Sequence, residues 1–271
     1  MRLLVCSIFI ILIICGKAWA TSSPITESEV SDLYGKGSAY FREANDLVAS
    51  KPGRAKELYG KAVLYFERII REGGIENGKL FYNIGNAYFR MGDLGRAILN
   101  YRKAERYIPN NINLVHNLNY AKNRRVDQVK DKIKTRVYKT IFFWHYDLSL
   151  KTRFMLFLFF FDLVWVWAIT ALFFKKAWIR YGIIISALFV LLFAGSTGIE
   201  VLKESRTHTG VILAKEVFAR KGDSVTYEPS FTEPLHAGTD FKLVESRMAW
   251  LYIELTDGRQ CWIPEMAAGL I

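Results

Sequence analysis

Two apolar runs with a short basic break between them constrain this chain more than any other feature. Residues 154–174 (FMLFLFFFDLVWVWAITALFF) and 181–199 (YGIIISALFVLLFAGSTGI) are each long enough to cross a bilayer as a helix. Only KKAWIR, residues 175–180, separates them, so the two helices run antiparallel as neighbours. A two-pass hairpin returns the chain to the side it left. Whatever precedes residue 154 and whatever follows residue 199 then share one compartment, and the function lies in how those flanking modules act together at one membrane face.

The N-terminus sets which face this is. Arg2 precedes an apolar run over residues 3–15, and Ala18-Trp19-Ala20 supplies small residues for cleavage, the three-part pattern of a secretory signal peptide over residues 1–20. Cys15 is a poor lipid-attachment site because bulky Ile14 precedes it. The loop with Lys175, Lys176 and Arg180 is then cytoplasmic. Lys151, Arg153, Lys203 and Arg206 flank the spans on the other side, so the positive-inside rule does not decide alone. The reading is a bacterial cytoplasmic (inner) membrane protein with both soluble modules on the periplasmic side.

The net charge of +11 falls to +9 without Arg2 and Lys17. Much of it lies in residues 124–139 (RRVDQVKDKIKTRVYK), next to the first span, where anionic lipid head groups are the natural counter-charge. An exported segment is a poor nucleic-acid binder. Cys6 and Cys15 fall in the signal segment, which leaves Cys261 alone, with no internal disulfide and no Cys/His metal spacing. His116, His145, His208 and His236 sit in no catalytic pattern, and no phosphate loop or nucleophile motif is present. The chain reads as non-enzymatic and without a cofactor.

The first module, residues 21–123, is helical and repetitive. Residues 80–109 read LFYNIGNAYFRMGDLGRAILNYRKAERYIP, with Phe81, Ile84, Gly85, Tyr88, Ala97, Tyr101, Ala104 and Pro109 at fixed spacings. This segment resembles a tetratricopeptide repeat at every signature position. Gly85 and Ala97 are small where two antiparallel helices cross, Tyr88 and Tyr101 fill the space around them, Gly92-Asp93 turns the chain and Pro109 stops it. A looser copy precedes it, with Leu33, Gly37, Tyr40, Ala62 and Phe66, and an enlarged turn at Lys51-Pro52-Gly53. After Pro109, Val115, Leu118 and Ala121 continue as a capping helix.

Such repeats present a concave groove to a peptide or partner helix, and the resemblance puts Lys79, Tyr82, Asn86, Phe89 and Arg90 on it. In the family's peptide-tail clamps a Lys and an Asn four residues apart hold a terminal carboxylate. This chain keeps Asn86 but carries Tyr82 at the lysine position. The other reading of these five residues is an ordinary solvated helix face.

Residues 124–153 form a basic and aromatic approach to the membrane. Val126, Val129, Ile133, Val137 and Ile141 fall on one helical stripe, and Phe142, Phe143, Trp144 and Tyr146 suit the bilayer interface. Asp162, in the middle of the first span, is costly in lipid. It either contacts a partner's transmembrane helix or is neutral and hydrogen-bonded within the hairpin. Gly182, Ser186, Ala194 and Gly198 are small enough for close helix contact.

After residue 205 the period changes to short strands. Leu251, Ile253 and Leu255 alternate with Trp250, Tyr252 and Glu254, and Asp257-Gly258 is a two-residue hairpin turn. The turn Leu235-His236-Ala237-Gly238, the WLYI segment, and Asp257-Gly258-Arg259 with Trp262-Ile263-Pro264 make residues 207–271 look like a bacterial SH3-type domain. Such domains bind peptides or cell-wall fragments through aromatics, for which Tyr227, Trp250, Tyr252 and Trp262 are the candidates here; the other reading of these four is as core of a small barrel. His236 reads as turn structure, and Cys261 as inward-facing.

The fold class is therefore multidomain: tetratricopeptide-like helical repeats, a two-helix transmembrane hairpin and a small all-β SH3-like barrel. That order of parts, with the stretch FFWHYDLSLKTR, resembles the BatE-like aerotolerance proteins. The resemblance implies a scaffold whose partners are von Willebrand-type membrane proteins and a MoxR-type ATPase. A wall tether, in which the SH3-like domain grips peptidoglycan, is the alternative.

Overall fold

The computed structural model describes residues 25–127, 142–206 and 208–271. The segment read as a signal peptide, and Val129, Ile133, Val137 and Ile141 of the amphipathic stretch, lie outside the described residues. The described chain has the three expected parts: a helical repeat module, two long apolar helices and a C-terminal all-β domain.

The described residues begin with five helices: α1 (Glu27–Leu47), α2 (Pro52–Gly73), α3 (Gly78–Met91), α4 (Leu94–Tyr107) and α5 (Ile112–Asn123). Local chemistry sets their ends. Thr26 and Glu29 form a reciprocal capping box on α1, Pro52 opens α2, and Asn77, Asp93 and Asn111 accept backbone N–H groups at the starts of α3, α4 and α5. Gly74 and Gly92 end α2 and α3 in the left-handed conformation (φ 61° and 81°), which glycine adopts without a Cβ clash.

Both helix pairs are built on the same close crossing. A Cβ on Gly85 would lie 2.6 Å from the Tyr101 ring and 3.3 Å from the Ala97 carbonyl oxygen. In the first pair, a Cβ on Gly37 would lie 2.7 Å from the Phe66 ring. Leu33, Ala62, Phe66, Ile84, Ala97, Tyr101 and Ala104 fill one continuous core with Leu114, Leu118 and Ala121 of α5. Leu114, not Val115, makes the first inward contact of α5; Val115 is exposed. The Asn111 cap starts the helix one position out of the expected phase.

The hairpin consists of α6 (Phe143–Tyr146), α7 (Leu150–Phe173) and α8 (Ala177–Arg206). The two long helices each reach a mean hydropathy of 2.2 and are long and apolar enough to cross a membrane. Both extend past the apolar runs: α7 begins at Leu150, just after its Ser149 cap and four residues before the apolar run, and α8 continues beyond residue 199. Helices propagate past an apolar boundary because each added residue gains a backbone bond at little cost. The connection shrinks to residues 174–176. Phe160 stacks on Phe189 at 4.5 Å, and Gly182 lies against the Trp167 ring. Ser186 is buried in the crossing, whereas Ala194 and Gly198 face outward.

The β domain comprises β1 (Thr209–Ile212), β2 (Glu216–Val217), β3 (Leu235–His236), β4 (Asp240–Arg247), β5 (Trp250–Leu255), β6 (Gln260–Pro264) and β7 (Ala268–Leu270). Five strands form an antiparallel sheet in the order β6-β5-β4-β1-β7, and β2 pairs with β3. Leu251, Ile253 and Leu255 point into its core as their alternation implies, and Gly258 (φ 95°) makes the β5–β6 turn. Cys261 is buried in that core, where desolvation pushes its thiol up to about 12.

The β domain is seated on the repeat module. Val211 belongs to the helical core, and Leu213 and Ile271 pack against it. The seat is the outer side of α4, where glycines bring the two bodies close: a Cβ on Gly95 would lie 2.8 Å from the Ile212 oxygen, and one on Gly269 would lie 2.6 Å from Leu99.

Candidate functional site

The five residues expected on the groove all lie on α3, and α5 engages three of them. Asn117 of α5 donates to the Tyr82 hydroxyl (3.0 Å) and to Asn86 Oδ1 (2.9 Å), and the Tyr101 hydroxyl donates to the same oxygen (2.8 Å). The Asn86 carbonyl is thus committed internally. Phe89 packs on Tyr120 of α5, with ring centroids 5.7 Å apart. Lys79 and Arg90 stay exposed at either end of the helix. Across the other side, Asn83 donates to the Tyr34 hydroxyl of α1 at 3.0 Å, so α1, α3 and α5 form one linked surface.

Arg124, at the C-terminal cap of α5, completes this surface. Its guanidinium lies over the Tyr120 ring (4.8 Å) and near the Phe89 ring (5.7 Å) and donates to the Tyr120 hydroxyl at 2.8 Å. Neither Asn117 nor Arg124 belongs to the repeat signature. Arg124 stands one 34-residue repeat after Arg90, a cue the sequence does offer, whereas Asn117 falls 31 residues after Asn86 and has no such cue.

A second constellation locks the β domain in place. Asp240, at the start of β4, faces three cations: Arg125 at 3.0 Å, Lys122 at 3.4 Å and Arg102 at 3.6 Å. Beside it, the Asp127 carboxylate accepts from the His236 backbone N–H (2.7 Å) and the Thr239 hydroxyl (2.7 Å), and it pairs with His236 Nδ1 (2.8 Å). Burial pushes the Asp127 carboxyl up, but the bonds from Thr239 and His236 outweigh it and hold the group below the ordinary aspartate value. His236 ends strand β3 just before the Ala237-Gly238 turn, and Asp127 ties it to the repeat side of the molecule.

A third cluster sits where the hairpin meets α6. Arg153 is only 3% exposed; it donates to the Ser196 carbonyl (3.2 Å) and hydroxyl (3.0 Å), and its guanidinium lies 2.8 Å from His145 Nδ1. Glu200 Oε2 lies 3.4 Å from His145 Nε2 and 3.9 Å from Arg153. A residue that reads as a flanking charge is therefore an internal strut between α7 and α8. Asp162 is exposed on the outside of the hairpin and has no hydrogen bond to any described residue.

On the β domain, Tyr252 and Trp262 stack at 5.0 Å and Arg247 lies over Trp262 at 5.2 Å. Trp262 is buried by this cover, Trp250 is half-buried, and Tyr227 is exposed beside Gly222. Among the described residues, no group of three or more His, Cys, Asp or Glu side chains is arranged to hold a metal ion. No curated protein matched the sequence. The family model of the tetratricopeptide repeat matches residues 78–111, the span of α3 and α4, so the chain carries a tetratricopeptide repeat, a protein-interaction module.

Proposed function

We propose that this chain is a non-enzymatic, membrane-held scaffold that assembles protein partners on its repeat module. The observation that carries the reading is the seating of the β domain on α4, which occupies the outer side of the repeats while, among the described residues, Lys79, Arg90 and Tyr120 of the α3/α5 surface stay exposed. The Arg125–Asp240 and Asp127–His236 contacts join residues from before and after the hairpin, which supports placing both modules on one side of the membrane. By resemblance to the BatE-like proteins, that side is periplasmic. The partners are then von Willebrand-type membrane proteins and a MoxR-type ATPase, in an envelope-stress or aerotolerance complex. The Arg247–Trp262–Tyr252 stack favours a second reading, in which an SH3-like domain tethers the protein to peptidoglycan, since stacked aromatics with a cation suit ligand contact.

Photo-cross-linking in the native cell separates the two. A photoreactive residue replacing Lys79 is expected to yield discrete membrane-protein adducts, while one replacing Tyr227 yields none. Adducts confined to the Tyr227 site and composed of wall glycan would overturn the scaffold and leave the tether.

A further inference from the structure

Charge is distributed unevenly over the repeat module. On the outer helices, arginines are paired with nearby carboxylates: Arg54 with Glu57 and Arg68 with Glu72 on α2, exposed Arg96 with the cap residue Asp93, and half-buried Arg102 with Glu105 and Asp240. Of the inner helices, α1 carries Glu27, Glu29, Asp32, Glu43 and Asp46, but the other two differ. Neither α3 (GKLFYNIGNAYFRM) nor α5 (INLVHNLNYAKN) contains a single Asp or Glu. Lys79, Arg90 and Arg124 have no carboxylate partner among the described residues.

We infer that the α3/α5 surface takes an extended protein segment whose side-chain carboxylates, not its C-terminus, meet Arg90 and Arg124. This rests on the scaffold reading above and names the chemistry of the partner. A terminal carboxylate is disfavoured because Tyr82 stands where a lysine is needed and because Asn86 Oδ1 is already held by Tyr101 and Asn117. Side-chain carboxylates are favoured because the cations stand at the far end of α3, around an aromatic shelf. Arg124 stacks on Tyr120 and Phe89 and spends one N–H on the Tyr120 hydroxyl, which leaves the remaining donors of its guanidinium fork for a ligand oxygen. Lys79 and Arg90 are eleven residues apart on one helical face, about 16 Å at 1.5 Å per residue. An extended segment covers that distance in about five residues, so acidic side chains at that separation reach both ends of the surface.

The test is fluorescence anisotropy with the full-length protein in a nonionic detergent. The probe is a labelled twelve-residue peptide of alternating acidic and aromatic residues, with its C-terminus amidated. The amidated peptide is expected to bind, with affinity falling at least tenfold between about 50 and 300 mM salt and at least tenfold in the variant Arg90→Glu/Arg124→Glu. A charge-matched control on the outer surface, Arg54→Glu/Arg68→Glu, is expected to bind as the parent does. Absence of binding by the amidated peptide, or equal binding by the double variant, overturns the inference. If that occurs while the Lys79 cross-linker still captures membrane proteins, the scaffold stands and only the acidic chemistry falls.

Discussion

Single residues carry the closest tolerances in this molecule. Gly85 faces the Tyr101 ring at a distance no methyl group can share, and Tyr101 cannot retreat because it is fully buried and bonded to Asn86. Gly85→Ala is expected to destabilise the repeat module by about 1–3 kcal/mol, the usual cost of forcing an extra carbon into a packed crossing. Thermal unfolding followed by circular dichroism checks this, and an unchanged midpoint would mean that the crossing is looser than its geometry. At the junction, Asp127 makes stability depend on acid. A carboxyl held below its ordinary value favours the docked state above that value and loses the contribution as pH falls through the depressed one. Docking of the β domain should therefore weaken below about pH 4, and Asp127→Asn should flatten that dependence. Energy transfer between dyes on the two modules, recorded from pH 3 to 6, reads it directly.

At the level of elements, the hairpin is held by more than apolar packing. Arg153 ties α7 to α8 through both Ser196 oxygens and gathers His145 and Glu200 around it. Arg153→Ala strands these acceptors and is expected to cost about 1–3 kcal/mol, seen as a lower unfolding midpoint in detergent and earlier proteolysis at α6. An unaltered midpoint would reduce the cluster to a surface feature. Much of the element structure is legible in the sequence because it rests on local rules. The Gly85/Tyr101 spacing marks a helix pair, unbroken apolar runs mark α7 and α8, and Leu251, Ile253 and Leu255 mark a half-buried strand. The looser first repeat is legible for the same reason, since Gly37 and Phe66 repeat the crossing. Arg153 was not: before a long apolar run a cation reads as a boundary charge, and only the return of α8 brings Ser196 and Glu200 beside it. The inward turn of Leu114 rather than Val115 was likewise set by a cap, whose phase the apolar pattern leaves open.

For the whole molecule, the decisive relation is the seating of the last domain on the first, and here the sequence is nearly silent. Asp240 and Arg125 are far apart in the chain, and nothing in the spacing of Gly95 or Gly269 says that each meets a partner from the other module. The groove candidates were only partly legible for the same reason. Their place on α3 follows from the repeat pattern, but the commitment of Tyr82, Asn86 and Phe89 to α5 depends on Asn117 and Tyr120, which the pattern does not specify. The docking has one more implication. Asp127 and His208 are both fixed to the docked body, Asp127 by the Thr239 hydroxyl and His208 by its carbonyl, which accepts the Leu243 N–H. The helices α7 and α8 therefore belong to a stretch of chain whose two ends are pinned to a common base. A nick in the connection between α7 and α8 leaves two polypeptides clasped by the same core and ion pairs, so the assembly's integrity does not depend on an unbroken backbone.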